Sequence, residues 1–220
     1  MYDAKNYRLK ITTGLYRSAP PEDREMLKGL FGEEAEYDYE IYFHWYNVIH
    51  ELGHAILRFN LPELPHPADE EQLVNNFAVA YWRHYGEKEK LENLQSIVCE
   101  TLQRFSAPTQ DKSYIQFAKE NWDTDELSSF NNYGWFQFSC VNAAILNPLS
   151  LDEVLREMCA CEVIPQRPEI TQYDICEEMP IRIISDAMNI MKTWGMQLPE
   201  NFEVIFCDDV NTHNCQLLDL

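Results

Sequence analysis

The chain has 220 residues, 45% of them apolar, enough for one domain, or one domain with an appendage, around its own core. Its 37 Asp and Glu against 17 Lys and Arg give a formal charge of −20, a surface that repels phosphate backbones and anionic membranes, so no nucleic acid and no membrane is expected as a partner. The first residues lack the apolar centre of a signal peptide and no stretch approaches the roughly 20 apolar residues of a membrane span, so a cytoplasmic protein is expected.

Residues 7–16 (YRLKITTGLY) alternate apolar and polar side chains and are rich in β-branched residues, which predicts a strand, placed at a sheet edge. Pro21, followed by Glu22 and Asp23, opens a short helix that Gly32 stops. The acidic run 33–40 (EEAEYDYE) is expected to be solvated. From about Ile41 the pattern becomes helical, with Trp45, Val48, Ile49, Leu52 and Ile56 following at spacings of three and four. Pro62, Pro65 and Pro67 forbid its continuation and turn the chain back into a second helix over 69–85. Further helices are expected over 88–105, 114–122, 136–146, 151–161 and 181–194, with breaks at 106–109 and 165–168, and a late strand over 202–207.

The seven cysteines, an odd number without the density of a disulfide-stapled domain, are expected to be reduced. Cys159-Ala160-Cys161 and the tail group Cys207, His213 and Cys215 lack a C-x-x-C knuckle and read as free thiols rather than a second metal site.

The first of the two long helices carries His50-Glu51-Leu52-Gly53-His54. Residues four apart share a helix face, so His50 and His54 can aim both imidazoles at one ion. Glu51 lies about 100° round from His50, near enough to take a proton from a water whose pKa the metal has lowered, and to return it to a leaving amine. Gly53 and Ala55 leave space beside the motif while Ile49, Leu52 and Ile56 bury the helix, which sets the run apart from an ordinary solvated helix.

A catalytic zinc commonly takes three protein ligands. Leu57 and Asn60 occupy the places where the extended metzincin pattern needs Gly and His, which excludes that class. His44 lies roughly 240° round the helix from His50 and faces away, and His84 is about 20 Å along the second helix from Glu71. Glu71, at the start of the returning helix, is preferred as third ligand, with Glu70 as its replacement and His66 in the proline loop as a lesser candidate. Asn75, one turn beyond Glu71, can support a ligand by hydrogen bonding. A donor for a developing oxyanion is also required, for which Tyr133 and His213 are candidates among several tyrosines.

His50-Glu51-Leu52-Gly53-His54-Ala55-Ile56-Leu57 followed by Glu71-Gln72-Leu73-Val74-Asn75-Asn76-Phe77-Ala78 resembles the ImmA/IrrE family of zinc metallopeptidases, whose pattern is HELGH followed by E-x-x-A-N-x-F-A. The resemblance covers residues 48–85; Val74 stands where the pattern has alanine, and Trp45 to Ile49 lack the family's common lead into the motif. It implies a gluzincin-type site with His50, His54 and Glu71 on zinc and Glu51 as base, and cleavage of a protein substrate, often a transcriptional repressor.

The expected protein is therefore α+β and mainly helical: a zincin-like metallopeptidase core over 1–105 with a small N-terminal sheet, and a helical region over 106–220. The expected activity is zinc-dependent hydrolysis of a specific cytoplasmic protein or peptide. The competing expectation, motivated by the −20 charge, is an acidic interaction or regulatory module on the same fold without proteolytic activity. A metal-dependent hydrolase of non-peptide bonds is the third.

Overall fold

The computed structural model describes residues 7–147, 149–159 and 172–219. Over these the chain is mainly helical, with one three-stranded sheet. Strand β1 (Tyr7–Gly14) buries Leu9, Ile11 and Thr13 on one face, as its alternation requires. It is the central strand rather than an edge. β2 (Asn201–Cys207) runs parallel to it, with Ile11 opposite Val204, and β3 (Asn214–Asp219) antiparallel, with Ile11 opposite Cys215. The sheet expected at the N-terminus thus takes two of its strands from the far end of the chain. Both backbone edges of β1 are used, which leaves β3 as an edge strand.

Helix α1 (Pro21–Phe31) begins with Pro21 and ends at Gly32, whose φ of 100° lies in the left-handed region that favours glycine. After α2 (Ala35–Tyr39) the backbone passes through a π-helical stretch, Glu40–Tyr46, directly into α3 (Asn47–Asn60). The acidic run 33–40 is therefore not wholly solvated: Ala35, Tyr39 and Glu40 are buried. Glu40 stays inside because its carboxylate is hydrogen-bonded to His44 Nδ1 at 2.6 Å.

The proline loop returns the chain into α4 (Pro67–Tyr85), with Pro67 in the first turn and His66 capping the N-terminus by accepting from the Ala68 amide at 3.1 Å. Two contacts lock the hairpin. Trp45 stacks on Trp82 at 4.1 Å between ring centroids. At Gly53 a Cβ would meet the Val74 Cβ at 3.0 Å, so glycine allows α3 and α4 to approach this closely. Val48, Ile49, Leu52 and Ile56 fill the buried face of α3, each side chain contributing about 1.5–3 kcal/mol by leaving water.

The remaining helices are α5 (Lys88–Leu102), α6 (Tyr114–Asn121), α7 (Asp125–Ser128), α8 (Phe130–Leu146), α9 (Leu151–Cys159) and α10 (Met179–Thr193). α8 starts at Phe130 rather than at 136, because Ser129 caps it by accepting from the Asn132 amide. The boundary expected near residue 105 falls within one buried cluster that runs from Leu9 to Val210. A smaller cluster around Phe117, Leu127 and Phe136 lies under α6 to α8. The expected break at 165–168 and the Ala160-Cys161 part of the paired-cysteine motif lie outside the described residues. No helix among the described residues is long and apolar enough to cross a membrane.

Candidate metal centre

The α3–α4 hairpin brings His50, His54 and Glu71 together, with one potential ligand atom from each lying within 4.8 Å of the others. His50 Nε2 lies 3.4 Å from Glu71 Oε2, and His54 Nε2 lies 3.7 Å from Glu71 Oε1. Both exceed a good hydrogen bond; the first matches the ~3.3–3.4 Å between neighbouring ligand atoms on a tetrahedral ion bound at about 2.0–2.1 Å, and the second, to the other oxygen, is longer than that. Glu71 Oε2 is buried without a hydrogen-bond partner, an oxygen whose desolvation a cation would offset. The donor set and the spacing both fit a divalent metal.

Each imidazole is held so that Nε2 is left for the ion. Asn75 Nδ2 donates to the Glu71 carbonyl at 2.8 Å, which fixes the amide's orientation. Asn75 Oδ1 then accepts from the Tyr46 hydroxyl at 2.6 Å and from His50 Nδ1 at 3.2 Å. His50 must therefore carry its proton on Nδ1. His54 Nδ1 meets Glu70 Oε1 at 2.6 Å, a carboxylate that orients the ring in the same sense. Glu70, weighed above as a substitute ligand, is occupied with this Nδ1. The two rings stand nearly perpendicular, at 83°.

The electrostatics are uneven. Burial pushes the His50 pKa well down, helped by the charge on His54. Burial works against the His54 imidazolium too, but its hydrogen bond to Glu70 and the charges of Glu71 and Glu51 outweigh it and raise its pKa to about 8. Burial raises Glu71, against the opposing pull of His54 and the Gln137 amide. Burial also raises Glu51 to about 7, with His54 opposing and Glu71 adding to the rise. Asn47, one turn before Glu51, donates to its Oε1 at 3.1 Å and aims it into the cavity.

That cavity, about 830 Å³, opens over His50, Glu51 and His54 of the motif and over Glu71. Its far wall is apolar and aromatic, from Met26 and Leu30 of α1 to Phe130 and Phe138 of α8. Tyr133 of α8 belongs to the same wall. Its hydroxyl accepts from Gln137 Nε2 at 3.0 Å, which leaves its own proton to donate. Although the side chain is 42% exposed, the shielding of its hydroxyl within the cavity wall and the nearby charge of Glu71 hold that proton on the oxygen.

The other histidines are committed elsewhere. His44 is fully buried, with Nδ1 on Glu40 and Nε2 donating to the Gly14 carbonyl at 2.8 Å. His213 lines the cavity but uses both nitrogens, Nε2 donating to the Val210 carbonyl at 2.9 Å and Nδ1 accepting from the Thr13 hydroxyl at 2.8 Å. It is thus a poor oxyanion donor. His66 is the α4 cap and His84 sits in the last turn of α4; neither lines the cavity. Cys207 is turned to backbone carbonyls and Cys215 to Arg58, so with His213 they form no common cluster.

Tyr46, Asn47, Arg58 and Gln137 were not singled out from the sequence. Asn47 and Arg58 had a signal: they stand one turn from Glu51 and from His54 on the same helix. Gln137 had none, since only packing brings α8 over the hairpin. No family model, curated protein or solved structure matches the chain.

Proposed function

We infer that this chain is a zinc-dependent endopeptidase of zincin-like, ImmA/IrrE-type construction, in which His50, His54 and Glu71 hold the metal and Glu51 is the general base. The observation that carries this reading is the pair of imidazoles with Nδ1 tied and Nε2 turned to the Glu71 carboxylate, whose Oε2 is unsatisfied, beside a third buried carboxylate, Glu51, that bonds neither histidine.

When bound, zinc supplies a Lewis acid that acidifies a water and polarises a carbonyl. Glu51, steadied by Asn47, accepts the water's proton as the hydroxyl oxygen adds to the scissile carbonyl carbon. The same carboxyl then protonates the departing nitrogen as the C–N bond breaks. Tyr133 donates its hydroxyl proton in a hydrogen bond to the oxygen on which negative charge develops, with Gln137 positioning it. The strand β3, whose Asn214 and Cys215 line the cavity and whose outer edge pairs with no strand among the described residues, offers backbone groups to an extended polypeptide.

Incubation of zinc-loaded wild type and Glu51→Gln with a proteome-derived polypeptide library, followed by mapping of new N-termini, tests the reading. Wild type is expected to generate N-termini that the variant does not. Identical termini from both would favour the interaction module that the −20 charge motivates.

A further inference from the structure

Cations are scarce in this chain, 17 against 37 acids, and most of those described are ion-paired on the surface. Arg58 is different. It stands one turn beyond His54 on α3, so His50, His54 and Arg58 form a stripe along one helix face, with about 6 Å of rise between successive members. Its side chain enters the same cavity, where it is the only lysine or arginine among the lining residues.

The guanidinium has five donors, and its one described hydrogen bond is a long contact of 3.5 Å from Nη1 to the Cys215 thiol. Thiol sulfur is a weak acceptor, and burial keeps this one protonated by raising its pKa to about 12, so it supplies no countercharge. No carboxylate among the described residues lies within ion-pairing distance of Arg58, although its charge is felt at Glu51 and Glu71. Around it the cavity floor carries Glu51, Glu70 and Glu71, which oppose the approach of any anion. Apart from the metal position, Arg58 is thus the one lining side chain with a permanent positive charge that can accept an acidic group.

We propose that Arg58 is a specificity residue that binds a carboxylate of the substrate, one helical turn from the metal-binding histidines, so that the peptides taken are those that present an acidic group beside the bond held at His54. This rests on the peptidase reading above. A planar fork of donors suits bidentate pairing with a carboxylate, which an amide or an alkyl group does not reproduce. The carboxylate is either the C-terminal one or that of an Asp or Glu side chain; the two have the same recognition chemistry.

The test is equilibrium binding to zinc-loaded Glu51→Gln protein, with fluorescein-labelled octapeptides of one scaffold in three forms: free C-terminus without acidic side chains, amidated with one Glu, and amidated with Gln in its place. At least one acid-bearing form is expected to bind about tenfold or more tightly than the neutral form. The preference should vanish in the added Arg58→Met and Arg58→Gln variants, weaken in Arg58→Lys, and persist after chelation of the metal, because Arg58 is not a ligand. The tighter of the two acid-bearing forms identifies the source of the carboxylate. Equal binding of all three forms, failure of all three to bind, or a preference unchanged by Arg58→Gln would overturn the proposal. Metal content, measured on the same samples, separates the two readings: a stoichiometric metal without carboxylate preference removes the role of Arg58 alone, whereas loss of metal binding removes the peptidase reading.

Discussion

Two histidine pairs, His44 with His213 and His50 with His54, are built differently. His44 and His213 each have both ring nitrogens satisfied, by Glu40 and Gly14 in one case and by Thr13 and Val210 in the other. His50 and His54 are each tied at Nδ1 only, to Asn75 and Glu70, and turn Nε2 toward Glu71. A ring with both nitrogens bonded is a cross-brace between elements. A ring with one nitrogen bonded is oriented and still able to ligate. The residue type is the same; the number of partners assigns the role.

Substitutions can break that contrast, and the largest effect belongs to the ligating pair. His50→Ala, His54→Ala and Glu71→Ala should each weaken zinc binding more than 100-fold, beyond the range seen on loss of supporting residues, as read by competition with a chromophoric chelator. Retention of wild-type affinity in any of the three would remove that residue from the ligand set. His44→Ala should do the opposite: it should leave zinc stoichiometry unchanged while costing about 3 kcal/mol in urea unfolding, from the cavity it opens and the buried Glu40 it leaves unpaired.

A smaller effect is expected from the residues that set the tautomers. Asn75→Ala and Glu70→Gln should weaken zinc about 10–100-fold while leaving the ligands in place. A separate effect, read on stability rather than on metal affinity, is the pH dependence at His213. Burial, with the charge of His44, depresses its folded pKa to about 3, against an ordinary value of 6.5. A depressed pKa contributes stability that is present above 6.5 and is lost as pH falls toward 3, with a slope of about 1.4 kcal/mol per pH unit. Urea unfolding of metal-free protein between pH 7 and 4 should therefore show a shallower acid loss in His213→Gln than in wild type; parallel curves would mean that this imidazole is not buried neutral.

The hairpin that carries the candidate ligands was legible in the sequence because each of its signals is local. The three- and four-residue periodicity, three prolines in six residues and the four-residue spacing of the histidines all act within α3, the loop and the start of α4. The sheet was legible only in part. β1 alternates and β2 is an apolar, aromatic run, but about 190 residues separate them, and nothing in either segment states its partner, so β1 was placed at an edge and β3 was missed. The π-helical stretch has no compositional mark of its own, although it sets the rotation at which α3 begins. The acidic run before it was read as solvated because its partner, His44, lies on the next turn and is itself buried. On the cavity's far wall, Tyr133 and Gln137 reach the site only through the packing of α8 across the hairpin.

X-ray absorption at the zinc edge on the zinc-loaded protein tests the central claim most directly, because it reads the ligand shell itself. The account predicts a shell of nitrogen and oxygen neighbours at about 2.0–2.1 Å, with the outer-sphere scattering of two imidazoles that falls to one in His54→Ala. A sulfur neighbour at about 2.3 Å, or an imidazole signal that His54→Ala leaves unchanged, would contradict it.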